Sequence, residues 1–484
     1  MKEIDISTIT KRSIRGVFAL TSRTFVIQLI TFVTNFFLTI FLSPEIFGIF
    51  FIVSAAVVFF TYFSDIGLAA ALIQKKEPLT EKDLRTTFTI QQFLVISMVS
   101  IALIFSQSIG DFYKFNQEGV FLFQALAIAF FLSSLKTIPS IILERQLRFE
   151  KLVIPQIAET IVFSSVVVYL AVNGYGVTSF TYAVLARGAV GLVAMYIIAP
   201  WKVGFAFSKS TAKKLLSFGI PFQTNSFLAL VKDDLLIIYL GKVLPLAQVG
   251  YIGFAQKWAF TPLRLIMDNI IRITFPSYSR LQDEKEILGR AIEKSLLAVG
   301  LFVFPALMGL VILTPYFIEI IPRYGKWEPA VLSLMFFSIN AAFSSISTPL
   351  TNALNAIGKI KITLYLMVFW TALTWIATPL AIVYLGFNGV AIASAFISLS
   401  VFIVIAIVKR YVSFKVWRSI NIPIFATLGM GLFLFLIAPI IVINSISLIA
   451  AILAGGVVYF LIILAVSRKT LFSNISMLKE NLKK

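Results

Sequence analysis

The sequence contains no cysteine and no histidine. Without cysteine there is no disulfide framework, no thiolate zinc site and no thiol nucleophile. Without histidine, the commonest metal ligand is missing, as is the one side chain that titrates near neutrality unperturbed. Charge is scarce as well: Asp, Glu, Lys and Arg make up 13 % of the 484 residues, against about 25 % in a soluble domain. No G-x-x-x-x-G-K-[ST] occurs, which excludes ATP hydrolysis through a P-loop. No linker on the outer side is long enough to form a soluble catalytic domain. Catalysis would rest on carboxylates and lysines that topology or pairing already accounts for, so a transporter is expected rather than an enzyme, and no cofactor is called for.

What the chain has is apolar length. Hydrophobic residues make up 59 % of it and the mean hydropathy is +0.96, which marks an all-α, polytopic membrane protein. Runs of the ~20 residues needed to span a bilayer recur fourteen times, near 18–42, 46–73, 87–109, 119–142, 152–172, 177–199, 215–240, 248–277, 295–317, 329–355, 360–385, 388–408, 420–442 and 446–466. The opening MKEIDISTITKRSIRGVF lacks a clean apolar core ending in a small-residue cleavage site and is expected to be retained in the cytoplasm.

Placing the N-terminus inside puts thirty Lys and Arg in inner loops and tails. The outer loops then hold only Lys114, Lys242, Arg323 and Lys326. This strong positive-inside bias predicts cytoplasmic termini and an even number of helices. Most of the net charge of +19 is therefore topological and implies no nucleic acid.

The chain also resembles itself. FLSPEIFGIFFIVSA between runs one and two matches VLPLAQVGYIGFAQ between runs seven and eight, with Gly48 over Gly250. Pro139 falls over Pro349 and Gly176 over Gly389. One period of about 205 residues predicts two six-helix lobes in the same orientation, residues 1–200 and 201–412, with an appended pair of helices and a cytoplasmic tail in 413–484. Parallel repeats of this kind place a substrate between the lobes, near the midplane, with alternating access by rocking.

The charges inside the apolar runs are the candidates for function. Run eight carries Lys257, Arg264, Asp268 and Arg272, which fall within roughly an 80° arc of a helix. A lipid-facing row of that kind is too costly, so the face either lines a wet cavity or is paired within the bundle, including Arg264, Asp268 and Arg272 at i,i+4 spacing. The first lobe adds Arg23, Asp65, Lys136, Glu159 and Arg187; run seven adds Lys232, Asp233 and Asp234. Seven cations against five carboxylates favour an anion as the cargo. Arg187 and Arg264 sit near mid-membrane, where a planar guanidinium suits bidentate contact with phosphate oxygens. Arg23, Lys136 and Arg272 lie close enough to the inner surface to snorkel. Asp65 and Asp268 occupy nearly matching repeat positions and read as partners of nearby arginines, with proton carriage as the alternative. Asp233 and Asp234 leave a cation site open, and at least one of the run-seven charges is expected to pair with another helix.

The stretch LSPEIFGIFFIVSAAVVFFTYFSDIGLAAALIQKKE, the ERQLRFEKL after run four and the two-lobe plan resemble the Wzx-like oligosaccharide flippases of the multidrug/oligosaccharidyl-lipid/polysaccharide exporter superfamily. The resemblance implies carriage of undecaprenyl-pyrophosphate-linked oligosaccharide from the cytoplasmic to the outer leaflet of a bacterial inner membrane, for cell-surface polysaccharide synthesis. It further implies contact with membrane lipids and, as partner enzymes, a polysaccharide polymerase and glycosyltransferases. Lipid II flippases resemble it in carrying a cation in the first helix, a role that falls to Arg23. The competing readings are a cation-coupled multidrug exporter of the same superfamily and a non-transporting scaffold for glycan enzymes. Such exporters usually place an acidic residue in the first helix of a lobe, and run one has none.

Overall fold

The structure is a computed structural model that describes residues 6–75 and 77–481; side chains are described for residues 22–466 apart from Asp65, Lys76, 221, 222, 224–226, 269, 272 and 273. Every regular element among the described residues is helical. In chain order they are α1 (Ile6–Phe41), α2 (Pro44–Asp65), α3 (Leu68–Gln74), α4 (Glu81–Ile104), α5 (Ser106–Tyr113), α6 (Gln117–Leu135), α7 (Thr137–Arg145), α8 (Phe149–Val172), α9 (Thr178–Ile198), α10 (Lys209–Val243) and α11 (Leu246–Arg280). Next come α12 (Lys285–Ile320), a 3-10 turn at Tyr324–Ala330, α13 (Val331–Ala356), α14 (Ile360–Leu385), α15 (Asn388–Ser398), α16 (Val401–Lys409), α17 (Val416–Ile441) and α18 (Ser445–Asn481).

Twelve helical segments among the described residues are long and apolar enough to cross a membrane. The other two long helices, α10 and α11, have 35 residues each, or about 50 Å of axis. They carry dense charge within their apolar length, and the twelve qualifying segments among the described residues stand against the fourteen runs expected. Only 17–44 % of each apolar segment is buried inside the protein, so most of the surface is apolar, as a lipid-facing bundle requires.

Local chemistry sets the helix ends. Pro44 occupies the first turn of α2, where its missing N–H costs nothing. A reciprocal capping box opens α4: the Asp83 N–H donates to Thr80 Oγ1 at 3.2 Å and the Thr80 N–H donates to Asp83 Oδ2 at 2.9 Å. At α6 the Gly119 N–H donates to Asn116 Oδ1 at 2.9 Å.

Tertiary contacts divide the chain into two units, residues 1–250 and 251–484. In the first, α8 packs on α9 and α1, α6 on α9, and α10 on α2 and α3. A core of Leu68, Leu72, Leu84, Phe88 and Ile138, edged by Trp201, joins α3, α4 and α7. The repeat pair Gly48 and Gly250 explains itself here. A Cβ on Gly48 would lie 1.9 Å from the Leu246 carbonyl oxygen, and one on Gly250 would lie 1.8 Å from that of Pro44. Leu246 is Pro44 displaced by the same 202 residues, so the two contacts exchange under the repeat. Only glycine permits backbones so close.

In the second unit α12 packs on α17 and α13, and α17 on α18, so the terminal pair is fastened to the bundle through α12. The α11 residues Leu263 and Met267 are buried against Val299, Val303 and Leu307 of α12 and Ala341 of α13.

Candidate functional site

Four charged side chains of the first unit, Arg23, Lys136, Glu159 and Arg187, meet along one face of α8. Gln156, Glu159 and Phe163 follow at i, i+3 and i+7, one stripe of a helix. Glu159 is buried, its side chain 8 % exposed. Its Oε1 accepts from Lys136 Nζ, and its Oε2 lies 3.8 Å from Arg187 Nε. Lys136 sits where α6 ends and α7 begins, which aims it across the bundle. Arg187 comes from α9, and its guanidinium lies 5.9 Å from the Phe163 ring centroid, within cation–π range. Gln156 Oε1, one turn earlier, accepts from Arg23 Nη1 of α1 at 2.6 Å.

Three cations from three elements therefore surround one carboxylate and one amide. A buried carboxylate needs a partner to remain charged, and Lys136, itself 17 % exposed, supplies it. Arg187 is held loosely and its side chain is 54 % exposed. Once Lys136 and Glu159 offset each other, Arg187 is the more loosely held cation beside them. Donors on a half-open guanidinium backed by an aromatic ring make an anion-accepting surface, suited to the paired oxygens of a phosphate.

Gly191 makes the arrangement fit. It lies one turn past Arg187 on α9, and a Cβ there would stand 1.9 Å from Glu159 Oε1. Neither Gln156 nor Gly191 was among the residues expected from sequence, though both leave a trace there. Gln156 shares the Glu159 stripe, and Gly191 is the small residue at i+4 from Arg187.

In the second unit, Lys257, Arg264 and Asp268 are exposed along one stripe of α11, about 100° around the helix from Leu263 and Met267, which enter the core. Of the pairing that was the alternative for this face, the half that the described side chains include is absent: Arg264 and Asp268 form no ion pair within 4 Å, although they stand one turn apart. On α10, Lys232 pairs with its neighbour Asp233 at 3.3 Å within the same helix, where a partner on another helix was expected. Asp233 is exposed and Asp234 half-buried. The side chains of Asp65 and Arg272 lie outside the described residues.

Comparison with known proteins adds the family. The family model described as "Polysaccharide biosynthesis protein" matches residues 37–332, more than half of the chain. The chain belongs to this family. It is 26 % identical over 320 residues to the lipopolysaccharide biosynthesis protein WzxC of Escherichia coli K12, an alignment that covers 64 % of this chain and 63 % of that protein. It is 26 % identical over 452 residues to an uncharacterized membrane protein in the cps region of Klebsiella pneumoniae, covering 89 % of this chain and 90 % of the other. Among solved structures, the inward closed conformation of the lipid II flippase MurJ superposes with a TM-score of 0.77 at 15 % identity, over 93 % of this chain and 99 % of that one. At that identity the likeness speaks for the fold.

Proposed function

We propose that this protein is a flippase that carries undecaprenyl-pyrophosphate-linked oligosaccharide from the cytoplasmic to the outer leaflet of a bacterial inner membrane, for assembly of a cell-surface polysaccharide. The observation that carries the reading is the cluster on α8. Lys136, Arg187 and Arg23 outnumber Glu159, and Arg187, the least committed of them, stands half open at a depth where a charge needs a reason to be. A lipid diphosphate supplies that reason, since its oxygens meet the guanidinium donors and its charge meets the local excess. Lys257 and Arg264 form an exposed cationic face of their own on α11 of the second unit, with Arg264 as its headgroup contact. Lys257 adds positive field along that face, and Asp268 on the same face tempers it. The family and the names of its relatives support the polysaccharide side of the reading, and the name of the fold neighbour MurJ supports the lipid-carrier side.

Transport proceeds by alternating access between two lobes, a reading motivated by the repeat. Both termini face the cytoplasm, which the thirty-to-four distribution of Lys and Arg supports. A polymerase and glycosyltransferases act before and after it on the same lipid-linked glycan. The exporter alternative usually places a carboxylate in the first helix of a lobe; Ser22–Phe41 has none, whereas α10 carries Asp233 and Asp234.

The test is leaflet translocation of a labelled undecaprenyl-pyrophosphate oligosaccharide in proteoliposomes. Protein-dependent flipping that Arg187→Gln and Arg264→Gln together abolish supports the proposal. Absence of flipping alongside export of a cationic dye replaces it with the exporter reading.

A further inference from the structure

Between α9 and α10 the chain runs from residue 201 to 208 without helix. One side of it is fixed to α4. Trp201 is buried and meets the Phe88 ring edge-on, with centroids 5.1 Å apart. The Ala206 N–H donates to Thr89 Oγ1 at 3.1 Å, and the Ala206 carbonyl oxygen lies 3.0 Å from the same hydroxyl. A Cβ on Gly204 would stand 2.9 Å from Arg85 Nε, so the backbone there lies close against that side chain. Successive residues of an extended chain face opposite ways. With Gly204, Ala206 and Ser208 on the covered side, Val203, Phe205 and Phe207 face outward, 51 %, 69 % and 65 % exposed.

Three large apolar side chains in a row are a liability in water. This segment, however, begins three residues after Ile198, where the α9 crossing ends. It therefore lies at the edge of the bilayer, a depth that aromatic rings favour. Charge selects the lipid. Residues 199–214 hold Lys202, Lys209, Lys213 and Lys214 and no Asp or Glu. All four lysines are exposed, and among the described residues none forms an ion pair. The first turn of α10 supplies no acidic residue to offset them. A positive-inside loop needs only the charge; the outward Val203, Phe205 and Phe207 are what topology does not require. Ammonium groups beside an apolar face match a surface that is oily beneath and anionic above.

We infer that residues 201–214 form a docking site for anionic phospholipid. Val203, Phe205 and Phe207 enter the boundary of the acyl chains, and Lys202, Lys209, Lys213 and Lys214 hold the headgroup phosphates. The contact fixes the depth of the connection between α9 and α10 and makes it sensitive to headgroup charge. On the proposed orientation this is the cytoplasmic leaflet; the inference rests on that reading only for the choice of leaflet.

The chain has no cysteine, so Phe207→Cys accepts a single bimane fluorophore. The labelled full chain is placed in phosphatidylcholine nanodiscs that contain, at equal mole fraction, phosphatidylglycerol or phosphatidylcholine bearing a nitroxide quencher near the headgroup. Both lipids are expected to quench, and phosphatidylglycerol about threefold or more strongly, since a lysine near an anionic surface strengthens attachment severalfold. Replacing all four lysines by Gln should equalise the two lipids while phosphatidylcholine still quenches, and replacing them by Arg should keep the preference. Quenching by neither lipid overturns the inference, because it places the face in water or under a protein. Equal quenching in the parent, or a preference that survives the four Lys→Gln substitutions, overturns it as well. The nanodiscs contain no isoprenoid lipid and no transport is measured, so failure here and failure of the flippase reading are distinguishable.

Discussion

Glu159 accepts two cations, and the geometry ranks them. Glu159 is buried, Lys136 is mostly covered, and their side chains meet directly, whereas Arg187 stands 3.8 Å away with half of its surface open. Exposed ion pairs contribute about 0.2–1 kcal/mol, while stranding one member of a buried pair costs about 3–5 kcal/mol. Polar couplings inside membrane proteins fall below that upper range, because the unfolded chain finds other partners in the bilayer. A coupling of about 2 kcal/mol is therefore expected between Lys136 and Glu159, roughly a 30-fold change in the folding constant. Less than 1 kcal/mol is expected between Arg187 and Glu159. Two double-mutant cycles measure this, Lys136→Met with Glu159→Gln and Arg187→Gln with Glu159→Gln, each by reversible denaturant unfolding in mixed micelles. A larger coupling for Arg187 than for Lys136 would refute the reasoning. It would mean that Arg187 is a structural partner with nothing to offer a ligand.

Three further outcomes follow from single contacts. Gly191→Ala drives a methyl to within 1.9 Å of Glu159 Oε1, so it should destabilise the protein about as much as Glu159→Gln; adding Glu159→Ala should then cost nothing more, and additive losses would count against the clash. Gly48→Ala and Gly250→Ala each press a methyl against a backbone carbonyl that cannot move aside; a loss at or above the ~1–3 kcal/mol of ordinary overpacking is expected, read as a fall in folded yield and melting temperature, and a neutral result for either would contradict the close crossing. Burial pushes the Glu144 carboxyl of α7, between the membrane crossings, above its ordinary range. A group whose folded pKa is raised gains stability as pH falls through that folded value, so Glu144→Gln should melt higher than the parent at pH 8, with the difference shrinking toward pH 4; a lower melting temperature for the variant at pH 8 would show the sign to be wrong.

Much of the architecture was legible because the bilayer imposes simple rules. Apolar length gave the crossings, and α10 and α11 stood out because they combine that length with charge. The Gly48/Gly250 match was legible as a repeat, while its cause, two helices touching backbone to backbone, required the structure. The charges were legible as a set but not as pairs. Proximity in sequence suggested Arg264 with Asp268, yet the two side chains form no ion pair although they stand one turn apart. Glu159 meets partners 23 and 28 residues away by number, on other elements, and no periodicity encodes such a meeting. Gln156 escaped notice because an uncharged amide in an apolar run has no signature of its own, although its place on the Glu159 stripe gives it away once Glu159 is known to matter.

The central claim, that the half-open Arg187 receives the diphosphate of a lipid-linked glycan, is tested most directly by flipping in proteoliposomes containing the parent, Arg187→Gln or Arg187→Lys. Loss of labelled undecaprenyl-pyrophosphate oligosaccharide translocation in Arg187→Gln, partial recovery in Arg187→Lys and unchanged folding in both is the predicted result. Translocation by Arg187→Gln at the parental rate would contradict it.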